Sequence, residues 1–408
     1  MFHSAINTVI KTTLLSGVFL ASSTPAMAFE FHGYGRIGSG ASTGSGGAQS
    51  CFQLAGAETK YRLGNECEIY GELEISHDFF KSEQGSTFTV VGMGSLYNRN
   101  DRSPTFQPED GSARAPQIYA KYSNIPELNG ATLWAGRRYY KRHDVHITDF
   151  YYWNPSGTGL GIEDYKVGDL KLSYAFSRED NIYQADYANK HDFQLGGIAT
   201  NKGGEVALGL SYIQAAGQVS GANSGWSLTA QHEQKGWLGG TNKFAIQYGV
   251  GPGTGLGYTG SLLADQSNKR LRLVESFDWQ ATPEFGGQLT AVYQRDQSNA
   301  GRQTWWSAGA RPVYAFSQNF KLVGEVGHDR VEALDGQTRN LSKLTIAPTF
   351  TLDKAFWSRP ELRVFYTYAR WNEAAQNAAS SGSALSKTGT FGRDLNGSTY
   401  GLQLEYWW

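Results

Sequence analysis

Sulfur is what this chain has least of: two cysteines and three methionines in 408 residues. So few cysteines exclude a small scaffold held by many disulfides, and Cys51 and Cys67 are the one pair available. Charge is scarce too, at 18%, with a formal net charge of -1 and no basic block. That argues against a nucleic-acid partner. Long apolar runs are missing. The run Leu14 to Ala21 is too short for a helical span, which needs about 20 residues. A mean hydropathy of -0.44 ordinarily means a soluble protein. The inference fails for a membrane β-barrel, where every second residue faces a wet lumen. No helical periodicity of useful length and no fixed-length repeat is present.

Residues 1–28 read as an export signal. Lys11 forms a sparse basic region, the run from Leu14 is apolar, and Ala26-Met27-Ala28 fits the small-residue cleavage pattern. This places the mature start at Phe29 and leaves 29–408 as one domain. A buried first helix is the competing reading. In an exported chain, two cysteines suggest a disulfide; Cys51 and Cys67 would tie the loop after the first strand to the second strand.

From Phe29 onward the chain alternates. In Phe29 to Ile37 the odd positions are apolar or Gly, so His32, Tyr34 and Arg36 share the other face. The run Tyr61 to Ile75 sets Tyr61, Leu63, Ile69, Leu73 and Ile75 against Arg62, Glu66, Glu68, Tyr70, Glu72 and Glu74. Similar runs start at Leu170, Val206, Trp226, Phe244, Leu289, Phe320 and Leu362. In the last run Tyr400, Leu402, Leu404, Tyr406 and Trp408 share one face, and Trp407 points with Gln403 and Glu405 to the other. Short turns such as Asn201 to Gly204 interchange with long Gly/Ser/Asn-rich loops such as Asn372 to Asn396. That is the pattern of an outer-membrane barrel with aromatic girdles. The expected fold class is all-β, a transmembrane antiparallel barrel. A Trp on the lumenal face is not there for lipid; it fills space or offers a stacking platform.

One stretch breaks the alternation. Arg142 to Trp153 reads Arg-His-Asp-Val-His-Ile-Thr-Asp-Phe-Tyr-Tyr-Trp and follows the strand-like run Ala131 to Lys141. We read it as a loop folded into the lumen and forming the constriction. Rings would line one side and hydrogen-bonding groups the other. A sugar presents those two surfaces, apolar C–H faces and a rim of hydroxyls.

Three patterns are decoys. Gly33-Tyr34-Gly35-Arg36-Ile37-Gly38 matches the dinucleotide fingerprint but lies inside a strand, with no helix after it. Gly40-Ala41-Ser42-Thr43-Gly44 matches the nucleophile elbow without its strand-turn-helix setting. His143, Asp144, His146 and Asp149 lack zinc-site spacing. No cofactor, metal or catalytic residue is expected, and nothing singles out a carboxylate pair for glycoside hydrolysis.

Five segments together resemble the maltoporin family, the sugar channels of the Gram-negative outer membrane: Phe31 to Tyr34, Lys60 to Glu68, Arg142 to Trp153, Trp357 to Pro360, and Trp407-Trp408. The resemblance covers essentially all of 29–408. It implies an eighteen-stranded barrel, with which a count of about eighteen candidate strands made in its light agrees. It also implies a homotrimer in outer-membrane lipid and an inward third loop. A line of lumenal rings would run down the pore beside polar tracks. Carried over residue by residue, Tyr34, Tyr70, Trp357 and Trp407 are similar to the ring line, and Tyr151 to the constriction tyrosine. Arg36, Arg62, Glu72, Arg114, Arg142, Asp144, His146 and Asp149 match the polar tracks. Cys51 and Cys67 match the family disulfide.

Two positions depart. Thr241 precedes Asn242-Lys243-Phe244 where the family has Phe, so one ring is missing unless Trp237 leans in. The second-loop Trp that the family donates to a neighbouring pore is absent, and Phe106, eight residues before Arg114, stands at the matching distance. Arg142 and Tyr151 keep the maltoporin type rather than that of the related sucrose porins. The resemblance implies saturable facilitated diffusion of maltodextrins or a related sugar, with ions and small solutes passing too. A general diffusion porin, a porin for another sugar such as sucrose, and a secreted β-sandwich glycosidase or lectin are the rivals. No residue pattern assigns the outer loops to a phage or colicin.

Overall fold

The computed structural model describes residues 29–44, 47–100, 111–179, 187–216 and 219–408. The expected export signal and Phe106 lie outside these residues.

The strands run in chain order: β1 (Glu30–Ser42), β2 (Glu68–Lys81), β3 (Thr87–Arg99), β4 (Gly111–Ile125) and β5 (Ala131–Arg138). A short hairpin follows, β6 (His143–Val145) and β7 (Phe150–Trp153). Then come β8 (Gly157–Val167), β9 (Leu170–Glu179), β10 (Ala188–Ala199), β11 (Gly204–Ala215), β12 (Gly225–Trp237) and β13 (Gly240–Val250). The rest are β14 (Lys269–Gln280), β15 (Phe285–Ser298), β16 (Gly301–Ala315), β17 (Phe320–Glu332), β18 (Thr338–Thr351), β19 (Glu361–Trp371) and β20 (Asn396–Trp407).

All but β6 and β7 form one 18-stranded antiparallel sheet. It is an up-and-down barrel, each strand pairing with its chain neighbours, and β5 pairing with β8 past the hairpin. Pairing of β1 with β20, Tyr34 opposite Trp407 and Ser42 opposite Thr399, closes it. Closure leaves no unpaired edge, the condition for strands to cross a bilayer. No helix among the described residues is long and apolar enough to cross a membrane.

The alternation read in the sequence is the outward and inward alternation of this wall. In β19, Leu362, Val364 and Tyr366 are exposed, while Arg363, Phe365 and Thr367 are buried toward the lumen. At the end of β20, Tyr406 and the following Trp408 stack on the outer surface, 5.8 Å apart. They cover Gly35 and Gly33, where an added Cβ would lie 2.4 and 2.3 Å from their rings. Any larger residue at those two positions would displace the aromatic cover.

The core is inside the barrel, made by two inward segments. The first lies between β1 and β2, where the Cys51–Cys67 disulfide forms. It corrects the expectation of a continuous strand from Tyr61 to Ile75: β2 begins at Glu68. Tyr61 and Leu63 do not face lipid. Tyr61 lies over Gly309 and Gly327, and its hydroxyl meets Ser307 Oγ at 2.9 Å. The Leu63 amide donates to Glu325 Oε1 at 3.0 Å. Alternation there matched a strand, but the alternate side chains serve the lumenal wall.

The second inward segment is 139–156. Val145, Ile147, Phe150, Tyr152 and Trp153 bury against the far wall, in one cluster with Trp305, Val274 and Val292. Trp153 covers Gly209, where a Cβ would stand 2.4 Å from its ring. The backbone at Ile147 is satisfied by the wall: its N–H donates to Gln288 Oε1 at 3.0 Å and its carbonyl accepts from the Arg62 amide at 3.0 Å. Irregular backbone at membrane depth is tolerated only where it is so paired. At the end of the segment Lys190 Nζ, fully buried, donates to the carbonyls of Pro155, Ser156 and Gly257 at 3.0–3.1 Å.

Candidate functional site

The two inward segments fill the β11–β19 side of the lumen and leave a cavity of about 1310 Å³ against β20 and β1–β5. It is lined by Tyr34, Arg36, Arg62, Tyr70, Glu72, Arg114, Arg142, Asp144, His146, Asp149, Tyr151, Trp357 and Trp407. These are the candidate residues of the sequence other than Phe106, brought to one place from seven separate parts of the chain. Trp237 does not lean in. It stacks on Phe277, 4.6 Å away, on the outer side of β14, out of phase with the lumenal Arg272 and Ser276. The gap at Thr241 therefore stays open. Thr241 pairs with Asp278, whose carboxylate lies 3.5 Å from Trp357 Nε1.

The rings form a connected row along one wall. Trp407 and Tyr34 lie 6.4 Å apart, and Tyr34 and Tyr70 6.1 Å apart. His146, at the tip of the inward hairpin, is 5.0 Å from Trp357 and 5.9 Å from Trp407. Guanidinium groups hold several rings in place: Arg359 lies 4.2 Å from the Trp407 centroid and Arg36 5.2 Å from that of Tyr70.

Beneath the row runs a network of buried ion pairs. Glu405 takes Arg62 at 3.1 Å, Arg359 at 3.0 Å and Arg363 at 2.7 Å. Glu66 takes Arg62 at 2.8 Å and Arg36 at 3.0 Å, and Arg36 also meets Glu68. Burial would raise the Glu66 pKa, but Arg36 and Arg62 outweigh it and hold the carboxyl well below its usual range. Tyr34 is tied into this network: its hydroxyl donates to Glu405 at 3.0 Å and accepts from Arg62 Nη2 at 2.5 Å.

The hairpin supplies a further part of the lining. Asp149 takes the left-handed conformation at its tip (φ +52°), which Asp tolerates better than most residues, and its carboxylate lies 3.9 Å from Arg36. Arg142 stands between two rings, 3.5 Å from the Tyr139 centroid and 4.7 Å from that of Tyr151. Burial raises the pKa of both phenols, so they remain hydrogen-bond donors. Burial, with Arg62 and Arg359 nearby, drives His146 well below the usual imidazole range. It is a neutral acceptor, 3.3 Å from Arg359 Nη2. Burial and the neighbouring Asp149 raise Asp144. The lumen thus offers aromatic faces with charged hydrogen-bonding groups beside them.

The LamB porin family profile matches residues 29–408. The chain belongs to the LamB porin family. It is an outer-membrane, multi-pass β-barrel channel for sugars or other solutes, not an enzyme. Among solved structures the barrel is similar to Pseudomonas aeruginosa OccK2 (TM-score 0.52, 12% identity, 93% of this chain and 97% of that one). It is also similar to Acinetobacter baumannii OccAB1 (TM-score 0.51, 10% identity, 93% and 96%). Salmonella typhi OmpF, solved in complex with daunomycin, gives a TM-score of 0.50 at 11% identity over 94% and 98%. At such low identity these likenesses concern the barrel alone.

Sequence reasoning missed three rings of this LamB-family lumen: Tyr97, Tyr139 and Tyr258. Parity would have found Tyr97, two residues from Ser95 on the same face of β3. Tyr139 follows the end of β5, where alternation gives no direction. Tyr258 reaches the lumen from the loop before β14, and its hydroxyl lies 2.6 Å from Asn154 Nδ2; no local signal marks it.

Proposed function

We propose that this channel carries maltodextrins or closely related glucosyl sugars by facilitated diffusion, as a homotrimer, after removal of residues 1–28 as an export signal. The observation that supports this reading most is the row Trp357, Trp407, Tyr34 and Tyr70, in one cavity with Arg142, Asp144 and Asp149. A glucosyl ring stacks its C–H face on an aromatic ring and gains by burial and dispersion. Its hydroxyls meet charged groups in stronger than ordinary hydrogen bonds. Similar rings in succession make each step nearly isoenergetic, so a chain advances without leaving its platform. Binding that is spread over several sites and moderate at each permits both capture and release. Ions and small solutes pass by the same route.

Thr241 favours a second reading, a sugar other than a maltodextrin, sucrose among them, because the row is one ring short at that end. Ion current through the purified protein in a planar bilayer, titrated with maltose, maltotriose, longer maltodextrins and sucrose, separates the two. Saturable block that tightens with maltodextrin length supports the first reading. Tighter block by sucrose supports the second. Pores that none of these sugars block would make it a general diffusion porin.

A further inference from the structure

The ring row climbs the barrel one element at a time. Trp357 lies in the turn after β18, Trp407 on β20, Tyr34 on β1 and Tyr70 on β2. Tyr34 pairs directly with Trp407, and Tyr70 pairs with Arg36, two residues further toward the end of the barrel that bears the long loops. The next strand is β3, and the residue directly opposite Tyr70 on it is Tyr97. Directly paired residues in an antiparallel sheet share a face. Ser95 and Tyr97 both line the lumenal cavity, whereas Phe88 and Val90, out of phase with them, are exposed on the outside. Beside Tyr97 on β4 stand Ser112, its direct partner, and Arg114, the partner of Ser95. Both line the same cavity. Tyr97 thus has what the other ring positions have, a face on the lumen and hydrogen-bonding groups alongside.

We propose that Tyr97 is a fifth stacking platform, which extends the sugar path by one position at the mouth. The row in this chain then lacks a ring at Thr241, beyond Trp357, and has one at the opposite end, beyond Tyr70. Position dictates the consequence. A short sugar is held by the rings deep in the lumen and gains little from Tyr97. A long chain lying on the deep rings extends back to the mouth, so Tyr97 determines how strongly affinity rises with length. This inference rests on the sugar-channel reading above.

The test is block of ion current by maltose and by maltohexaose in the wild type and in Tyr97→Ala and Tyr97→Phe. In Tyr97→Ala the maltohexaose binding constant should fall about fivefold, ~1 kcal/mol, and that of maltose by less than about twofold. Tyr97→Phe, which keeps the ring face, should retain most of the wild-type length dependence. A merely structural role for Tyr97 would weaken both sugars alike. Equal losses for the two sugars, or no loss for either, would overturn the proposal while leaving the sugar channel intact. Wild-type pores that no maltodextrin blocks would overturn the sugar reading, and Tyr97 with it. If Tyr97→Ala yields no folded protein, Tyr97→Leu serves instead, with the same selective loss expected.

Discussion

Tyr34 and Trp407 face each other across the seam where the first and last strands close the barrel. Their ring centroids are 6.4 Å apart and their planes 21° from parallel. Two residues from opposite ends of the chain thus make one continuous apolar surface. Arg359 on Trp407 and the Arg62–Tyr34–Glu405 chain of hydrogen bonds keep both rings in place. Trp407→Ala removes the middle of the row. Block by maltotriose should weaken about tenfold, ~1.4 kcal/mol, while oligomer migration on gels stays at the wild-type position. Unchanged block would remove Trp407 from the sugar path.

Tyr151 projects from the inward hairpin with Arg142 against its face. Tyr151→Ala should widen the narrowest part of the lumen and raise single-channel conductance, on the order of twofold. Arg142 would keep its contact with Tyr139 at 3.5 Å, so the wall should hold its shape. Conductance equal to the wild type would place the constriction elsewhere.

Glu405 is 1% exposed and forms ion pairs with three guanidinium groups at once. Glu405→Gln would leave Arg62, Arg359 and Arg363 with one buried charge too few. A loss of about 3–5 kcal/mol is expected, since breaking a buried ion pair leaves an uncompensated charge. The thermal unfolding midpoint in detergent measures it. A midpoint within a degree or two of the wild type would mean that the network relaxes or takes up water.

The hairpin carries two depressed imidazoles. Burial, with Lys243 and Lys141, pulls His143 down to about 4, and burial with Arg62 holds His146 lower than usual. A base depressed in the folded state stays neutral while its unfolded counterpart gains a proton below about pH 6.5. The folded hairpin is therefore at full stability above about pH 6.5 and loses stability as pH falls from there toward about 4. Asp144, raised by burial, acts in the opposite sense but within the more acidic carboxylate range. Open-channel current noise should rise between pH 7.5 and pH 5.5. His143→Gln should remove part of that rise, and noise that is flat with pH would refute the assignment.

Parity along the sequence marks Tyr34, Tyr70 and Trp407 as lumenal, because a strand offers its side chains just two directions. The same rule fails at Tyr61 and Leu63. Alternation there is real, but the segment turns into the lumen, where the Tyr61 ring covers Gly309 and Gly327 and the Leu63 backbone bonds to Glu325 and Lys343. Trp407 and Tyr61 differ in one respect: the first lies in a paired strand, whose two faces are defined by its neighbours, and the second does not.

The Arg142 to Trp153 stretch is legible as an inward loop from its composition, yet its division into two faces is not. Val145, Ile147, Phe150, Tyr152 and Trp153 go to the wall, and Arg142, Asp144, His146, Asp149 and Tyr151 to the cavity. Hydrogen bonds of the Ile147 backbone to Gln288 Oε1 and from the Arg62 amide fix the segment against the wall, and these residues are remote in sequence from the loop.

By itself, then, the sequence determined that the chain makes a two-faced wall, which residues of each paired strand look inward, and that Cys51 has only Cys67 to join. Tertiary structure decided which inward rings become neighbours, how Tyr97 comes to lie opposite Tyr70, and which half of the lumen stays open. The physical reason is that side-chain direction along a strand is a local property of the backbone, whereas adjacency depends on register and closure. Those are set by the summed pairing of eighteen strands and the two segments that fill the space between them.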